Sequence, residues 1–386
     1  RSGNVESLIS LAYWDGEETR NYNEDLYNRS VDGISGAYTL NYWASDTLML
    51  KGNVEYYKEN LSRQEGLAKI QKDGEWKTDD FDQQAYTESF TVYAGAEYFP
   101  IDSWFEELDT KVYLRSTVTD EKVNALVSQE QNNITVQRRL IDDRHFTDEV
   151  IGADADFISS FAQKNVNHTI SYGVSFDTTL YERPSSATTL DWHGLNNKDA
   201  KPFASARAYV RGGYVRDVIE IDHWTVTAGA RFDVHQLKPD SQNSINGYEV
   251  KEKSSSEISP SLSVGYQLTD SLNTYISYNH GFRAPAYDKV YGYQNHEFVP
   301  IAPFEIIPNM DLEAETSDSF EIGSKYDNGR TQFYTAVFYQ KYENFIGVEQ
   351  ITFTPDADTG NYFKQFRNIN GVETHGIEAS IAHRLS

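Results

Sequence analysis

The chain has 386 residues, no cysteine and a formal net charge of -25 at pH 7. These features exclude disulfides and thiolate metal sites, and they argue against nucleic acid as a partner because phosphate binding needs a basic surface. No run approaches the roughly 18 apolar residues of a membrane helix. Residues 1–10 lack the charged and apolar regions of a signal peptide, so we interpret the chain as a processed or internal piece.

Alternation of apolar and polar residues is the main structural signal. In chain order it runs through residues 86–99, 167–180, 222–237 and 259–268. Side chains alternate faces along a strand, so each segment is predicted to be a strand with one apolar and one polar face. In the third segment the apolar side consists of Trp224, Val226, Ala228, Ala230, Phe232 and Val234.

Two architectures fit this alternation. The apolar faces point inward in a soluble sandwich or barrel and outward to lipid in a transmembrane barrel. Segment length favours the second, because several segments reach about 10–14 residues whereas about 9–11 tilted residues cross a bilayer and soluble strands centre near 5–6. Aromatic residues are common in strands generally, but at segment ends they also suit an interfacial girdle. They are Tyr86, Tyr98, Trp104, Trp224, Tyr266 and Tyr278.

The connections between these segments alternate in length. Short ones are predicted at residues 44–46, 100–103, 163–165, 269–271 and 327–330. Long polar ones are predicted at residues 14–33, 59–84, 119–145, 183–202, 239–253, 283–312 and 346–365. Barrels of the bacterial outer membrane have short periplasmic turns and longer outer loops. We therefore predict an all-β, antiparallel transmembrane β-barrel in the bacterial outer membrane, with about 14 strands in this chain.

One long connection contains a recognisable box. It opens with Phe282-Arg283-Ala284-Pro285, continues through a single histidine, His296, and closes with Asn309-Met310-Asp311-Leu312. The box resembles that of the haem and haemoglobin receptor branch of TonB-dependent outer-membrane receptors, which reads F-R-A-P, a histidine, and N-P-N/D-L. Met310 stands where the family usually has proline. The resemblance extends loosely over the whole chain and is more specific within residues 256–380.

The resemblance implies a receptor that imports haem. Residues 1–386 would be the central part of a barrel of about 22 strands, without the plug domain, and residues 283–312 would be an extracellular loop. Haem would be the transported ligand, with no permanent cofactor, and a TonB energy complex would act through the plug. Haem or haemoglobin would be the partner outside the cell, and acidic loops could also meet lipopolysaccharide.

The resemblance also implies roles for individual residues. His296 would be an axial ligand of the haem iron, a role that imidazole commonly fills. Three tyrosines of the same loop could contact the haem ring or its propionates: Tyr287, Tyr291 and Tyr293. The rest of the box is expected to be mainly structural: Phe282, Arg283, Ala284, Pro285, Asn309, Asp311 and Leu312.

Other interpretations stay open at this point. A histidine in an exposed loop can be an ordinary solvated residue, a ferric-siderophore receptor would share F-R-A-P without needing an axial histidine, and a passive porin would lack the box. No catalytic function is predicted, because Pro300 breaks the zinc-protease pattern after His296 and residues 33–38 do not form a nucleophile elbow.

Overall fold

The structure is a computed structural model that describes residues 3–17, 28–64, 77–131, 134–191, 194–200, 203–240, 244–296, 304–352, 354, 356 and 362–385. These residues form one short helix, α1 (Tyr287–Val290), and the following strands. They are β1 (Val5–Glu17), β2 (Asn28–Ser45), β3 (Leu48–Gln64), β4 (Lys77–Tyr98), β5 (Glu107–Gln131), β6 (Ile134–Gln163), β7 (Val166–Glu182), β8 (Ser185–Asp191), β9 (Gly194–Ala200), β10 (Ala206–Ile221), β11 (Trp224–Pro239), β12 (Ser244–Ile245), β13 (Tyr248–Glu249), β14 (Lys253–Thr269), β15 (Leu272–Arg283), β16 (Gln294–His296), β17 (Phe304–Ile307), β18 (Glu315–Asp327), β19 (Thr331–Glu343), β20 (Phe345–Gln350), β21 (Tyr362–Ile369) and β22 (Val372–His383).

Most strands belong to one sheet that follows the chain order. The main sheet has 16 strands, of which β8 and β9 form a branch on β6, and the other 14 run β1-β2-β3-β4-β5-β6-β7-β10-β11-β14-β15-β18-β19-β22. Neighbours along this path are antiparallel. The predicted all-β antiparallel fold, with about 14 strands, is confirmed. The described part of the chain contains no helix with the length and apolar character needed to cross a membrane.

The two ends of the sheet differ in their connections, as predicted. Short turns follow β2, β4, β6, β10, β14 and β18, and the connections at the opposite end are longer, except the one from β5 to β6. Several short turns contain a residue with positive φ, namely Lys164 (58°), Asp222 (50°) and Gly329 (79°). Positive φ lets a tight turn match the twist of the two strands that it joins. We call the two ends the turn end and the loop end.

The predicted long connection at residues 119–145 is wrong. Strand β5 continues to Gln131 and β6 begins at Ile134, and the two pair residue by residue from Thr119 opposite Phe146 to the hairpin tip. Runs of charged and amide residues, such as residues 120–122, 129–133 and 142–144, interrupt the apolar alternation that marks a strand in the sequence. Backbone pairing does not need an apolar face, so the strands extend beyond the apolar region of the sheet. The predicted connections at residues 14–33 and 59–84 are shorter for the same reason.

The apolar side of the alternation is the outer surface of the sheet. Val174 is 62% exposed and Phe232 is 49% exposed, although both belong to regular strands. The opposite face carries polar contacts between strands, such as Lys51 Nζ at 2.8 Å from Glu97 Oε1 and 2.8 Å from Asp109 Oδ1. The apolar faces therefore do not enclose a dry core, which agrees with the interpretation from the sequence.

Aromatic rings gather at the turn end. Trp104 stacks on Phe157 with ring centroids 6.0 Å apart and on Tyr172 at 5.9 Å, and Phe157 and Tyr172 stack at 5.2 Å. Trp224 and Tyr266 form a further pair with centroids 4.5 Å apart. Amphipathic rings at this level are the arrangement expected where a strand leaves hydrocarbon for water.

A tyrosine lies over a glycine of the next strand on the polar face. Tyr113, Gly152 and Asp177 form one row across β5, β6 and β7, and the Tyr113 hydroxyl donates a hydrogen bond to Asp177. A Cβ added at Gly152 would collide with the ring of Tyr113. The glycine therefore lets one phenol reach across a whole strand. A second row repeats this in the opposite direction, with a hydrogen bond of 2.8 Å: Tyr214, Gly173 and Asp156.

We expect Gly152→Ala to lower the free energy of unfolding by about 1–3 kcal/mol, the usual cost of overpacking. The measurement is urea unfolding of the full-length protein in detergent micelles. Gly265→Ala is the matched control, because Gly265 lies on the polar face of β14 and its added Cβ would meet its nearest atom at 3.7 Å. Equal stabilities for the two variants would contradict the role assigned to the row.

Candidate functional site

The connection that carries the box is folded against its neighbours. Strand β15 ends at Arg283 and β18 begins at Glu315, and α1, β16 and β17 lie between them. Ala286 is extended, with φ -69° and ψ 149°, immediately before α1. Pro285 cannot continue the ladder of β15, because it has no backbone N–H to donate. Residues 297–303 of the predicted extracellular loop lie outside the described residues.

A hydrophobic core lies at the loop end of the sheet, and we call it the loop core. Its centre is formed by Val290, Tyr291 and Leu312, which are fully buried. It unites the box connection with the connection between β11 and β14 and with the ends of β10 and β11. Its members are Ala204, Ala206, Ala208, Leu237, Ile245, Val250, Tyr287, Val290, Tyr291 and Leu312. The structure therefore packs the box connection and the connection between β11 and β14 together.

Two of the predicted haem-contacting tyrosines are part of this core. The Tyr287 hydroxyl donates to the Ala204 carbonyl at 2.5 Å, and the Tyr291 hydroxyl donates to the Lys251 carbonyl at 2.6 Å. Burial raises the pKa of both phenols above the ordinary tyrosine value. Their rings and hydroxyls are engaged within the protein, so the contacts give them a packing role, and haem contact by either stays a prediction.

Tyr293 has a different environment from the other two tyrosines. Its side chain is half-buried, and its hydroxyl donates to Glu305 Oε2 at 3.0 Å. The ring centroid lies 6.1 Å from that of Tyr248 in the neighbouring connection. Tyr293 therefore stands at the margin of the loop core, where a ligand contact is compatible with its burial.

Asn309 fixes the second half of the box. Its backbone N–H donates to the Val290 carbonyl at 3.0 Å, and its side-chain Nδ2 donates to the Phe366 carbonyl at 2.7 Å. Its Oδ1 accepts a hydrogen bond from the Asp311 N–H at 2.9 Å. Met310, in the position of the family proline, packs against the loop core. These contacts connect the box with the strand β21 of the next long connection.

The first half of the box ends in an ion pair. Arg283 Nη1 lies 3.3 Å from Glu315 Oε2, with the arginine 74% exposed and the glutamate mostly buried. The other carboxylate oxygen of Glu315 accepts a hydrogen bond from the Ile346 N–H at 2.7 Å. An ion pair this exposed on one side contributes little to stability. Its effect is to set the geometry where two connections, the one after β15 and the one after β19, leave the main sheet.

A second sheet is built from two long connections, and we call it the small sheet. It has the order β16-β17-β21-β20, with β17 and β21 parallel. The backbone of His296 pairs with Phe304, and Phe304 pairs with Tyr362. The side chain of His296 lies outside the described part of the structure. Lys364 Nζ lies 3.5 Å from the centroid of the Phe304 ring.

The residues around His296 in the small sheet could not be found from the sequence. Phe304, Tyr362 and Lys364 are brought together by parallel pairing between distant segments, and no motif marks them. Parallel pairs need long crossovers and leave no local signal comparable to a hairpin. The histidine itself was found only through the box.

A separate cavity of about 880 Å³ lies at the loop end between strands β2 to β6 and β8. Its charged residues are engaged with one another, for example Arg144 Nη2 at 2.6 Å from Asp142 and Arg144 Nη1 at 3.4 Å from Glu121. His145 Nδ1 lies 2.5 Å from Asp120 Oδ1. Among the residues that the structure describes, no group of three or more His, Cys, Asp or Glu is arranged to hold a metal ion.

Comparison with known proteins identifies the family. The family model described as TonB dependent receptor-like, beta-barrel, matches residues 12–386. The chain belongs to this family of receptor barrels. The prediction of a TonB-dependent receptor barrel is thereby confirmed at the level of the family.

Three relatives have names that state what they bind. The chain is 32% identical over 127 residues to the hemoglobin and hemoglobin-haptoglobin-binding protein B of Haemophilus influenzae, covering 32% of this chain and 11% of that protein. It is 26% identical over 254 residues to the TonB-dependent heme receptor A of Haemophilus ducreyi, covering 58% and 33%. It is also 26% identical over 251 residues to the rhizobactin receptor of Rhizobium meliloti, covering 60% and 32%. The chain spans a third or less of the length of these relatives.

Solved structures share the fold. The hemophore receptor HasR of Serratia marcescens, in complex with its hemophore HasA and heme, matches with a TM-score of 0.66 at 16% identity, over 99% of this chain and 57% of that chain. The ferric citrate transporter FecA matches with a TM-score of 0.62 at 16% identity, over 99% and 51%. At this identity the likeness establishes the fold alone, and the chain spans little more than half of these proteins.

We expect Val290→Ala to loosen the loop core without unfolding the main sheet. Removing two buried methyl groups at about 0.8 kcal/mol each, together with the cavity left behind, gives a cost of about 2 kcal/mol. The measurement is amide hydrogen exchange in residues 284–296 of the full-length protein. Val348→Ala is the control, since Val348 lies in β20 and is 48% exposed. Unchanged exchange in the Val290 variant would show that the loop core does not hold this connection.

Proposed function

We propose that this chain is the barrel portion of a bacterial outer-membrane receptor that binds haem, free or taken from haemoglobin, and imports it by TonB-dependent transport. The observation that carries the proposal is the box: its two halves are joined through Asn309, Val290 and Leu312 into the loop core, and its histidine lies in the small sheet beside that core. Relatives named as haem and haemoglobin receptors support the same ligand.

Haem is a flat, apolar macrocycle with two carboxylates and an iron that accepts an axial ligand. A neutral imidazole supplies that ligand well, and His296 is the residue of the box that has one. The packed loop core would hold the backbone around His296 in place before the ligand arrives. Preorganisation of this kind raises affinity because less conformational entropy is lost on binding.

The outer apolar face and the aromatic rings at the turn end support a position in the outer membrane, spanning it as a barrel. The loop end would face the outside of the cell, with residues 283–312 as an extracellular loop. Transport would require the TonB complex acting on a plug supplied by the rest of the protein, and acidic connections could contact lipopolysaccharide. The chain itself would carry out no covalent chemistry.

A ferric siderophore is the second candidate ligand. It is favoured by the similarity to the rhizobactin receptor, which covers 60% of this chain at 26% identity. Ferric siderophores bring their own iron ligands, so a loop histidine would have no coordinating role. The two candidates therefore differ in whether the iron becomes bound by a protein side chain.

We expect His296→Ala to remove the Soret signature of imidazole ligation and to weaken haem binding at least tenfold, or about 1.4 kcal/mol. The measurement is an absorbance titration of the full-length protein with haem. His280→Ala serves as the control, because Nδ1 of His280 lies 3.0 Å from Asp318 in the strand wall. That variant should keep both the spectrum and the affinity of the unmodified protein.

The same titration separates the candidates. Loss of the Soret signature only in the His296 variant supports haem ligation. An identical spectrum in both variants rejects His296 as the ligand. Displacement of bound haem by a ferric siderophore at a concentration below that of the haem would favour the second candidate.

A further inference from the structure

We propose that one face of the small sheet is a platform for a flat, anionic ligand, on which Tyr362 lies under the ring and Lys364, held over Phe304, binds a carboxylate. We call these three residues the sheet platform. The inference rests on the proposed function, because it names the residues that would hold haem beside His296. It assigns Lys364 the role of recognising the ligand charge.

The register of the small sheet generates the platform. His296 is opposite Phe304 in β17, and Phe304 is opposite Tyr362 in β21. Phe304 and Tyr362 are directly opposite in neighbouring strands, so their side chains share one face of the sheet. Two strand spacings of about 4.8 Å separate the ends of this row, which is therefore about 10 Å wide.

Lys364 lies on the same face as this row. It follows Tyr362 by two residues in β21 and is opposite Ile306 in β17, which follows Phe304 by two. The ammonium group is 3.5 Å from the centroid of the Phe304 ring. A cation over the face of an aromatic ring keeps hydrogen-bond donors directed away from the ring, where they can meet an anion.

The acidic neighbour of Phe304 is on the other face. Glu305 alternates with Phe304 along β17, so its side chain leaves the sheet on the opposite side. Its carboxylate accepts a hydrogen bond from the Tyr293 hydroxyl at 3.0 Å and is buried. The small sheet therefore separates a carboxylate on one side from an ammonium and two aromatic residues on the other. In a chain with a net charge of -25, this face offers a local positive site for an anionic ligand.

The chemistry of the platform matches a ring that carries carboxylates. The Tyr362 ring stacks on the apolar macrocycle, and the Lys364 ammonium, positioned by Phe304, pairs with one propionate in a charge-assisted hydrogen bond. A neutral ring without free carboxylates would keep the stacking and lose the ion pair. This difference provides the test.

The experiment uses full-length protein with Lys364→Met, titrated with haem and with haem dimethyl ester. We expect the variant to bind haem about tenfold more weakly and the dimethyl ester as tightly as the unmodified protein does. Lys364→Arg keeps the charge and should restore haem binding. Lys289→Met is the matched control, since Lys289 lies 4.2 Å from the Phe366 ring centroid in a similar cation–aromatic contact at the loop core.

Two results would overturn the inference. Unchanged haem affinity in Lys364→Met would remove the charge recognition, and equal losses for haem and the ester would reduce Lys364 to a packing role. The outcome is independent of the histidine test. If haem binding does not change in His296→Ala, but Lys364→Met still weakens the binding of haem and not of the ester, the platform is kept and His296 is rejected as the axial ligand.

Discussion

Continuous antiparallel backbone pairing across 14 strands is the constraint on which the rest of the molecule depends. Pairing satisfies the N–H and C=O groups of each strand within the sheet, and it commits alternate side chains to opposite faces. One face can then be apolar and exposed, as Val174 is, while the other carries charges and hydroxyls. The connections are not bound to this alternation of faces, and the box lies in one of them.

The main sheet and the loop end are stabilised by different kinds of contact. Within the main sheet, cross-strand contacts such as Lys51 with Glu97 and the phenol of Tyr113 above Gly152 replace a hydrophobic centre. At the loop end, Val290, Tyr291 and Leu312 form a small conventional core with no water-accessible surface of their own. The box belongs to this second region, so its position depends on packing as much as on the strands that it connects.

The sequence predicted the strands and the alternation of short and long connections because both leave local patterns of period and length. It also located His296, through the box. It did not predict that β5 and β6 continue through residues 119–145, because runs of charged and amide residues interrupt the apolar alternation there. Burial of Tyr287 and Tyr291 was also missed, since a loop tyrosine gives no sign of packing against segments 40 and 83 residues away in the chain. Parallel pairing of β17 with β21 has no local signal at all.

That parallel pairing joins the connection after β15 to the connection after β19, and Asn309 bonded to the Phe366 carbonyl joins them again. Surface loops of receptors are the regions where lineages usually diverge most rapidly. Here an insertion or a substitution in either connection must preserve the fit of the other, so the two are expected to diversify together. Grafting one of them alone onto a related barrel would transfer half of a folded unit.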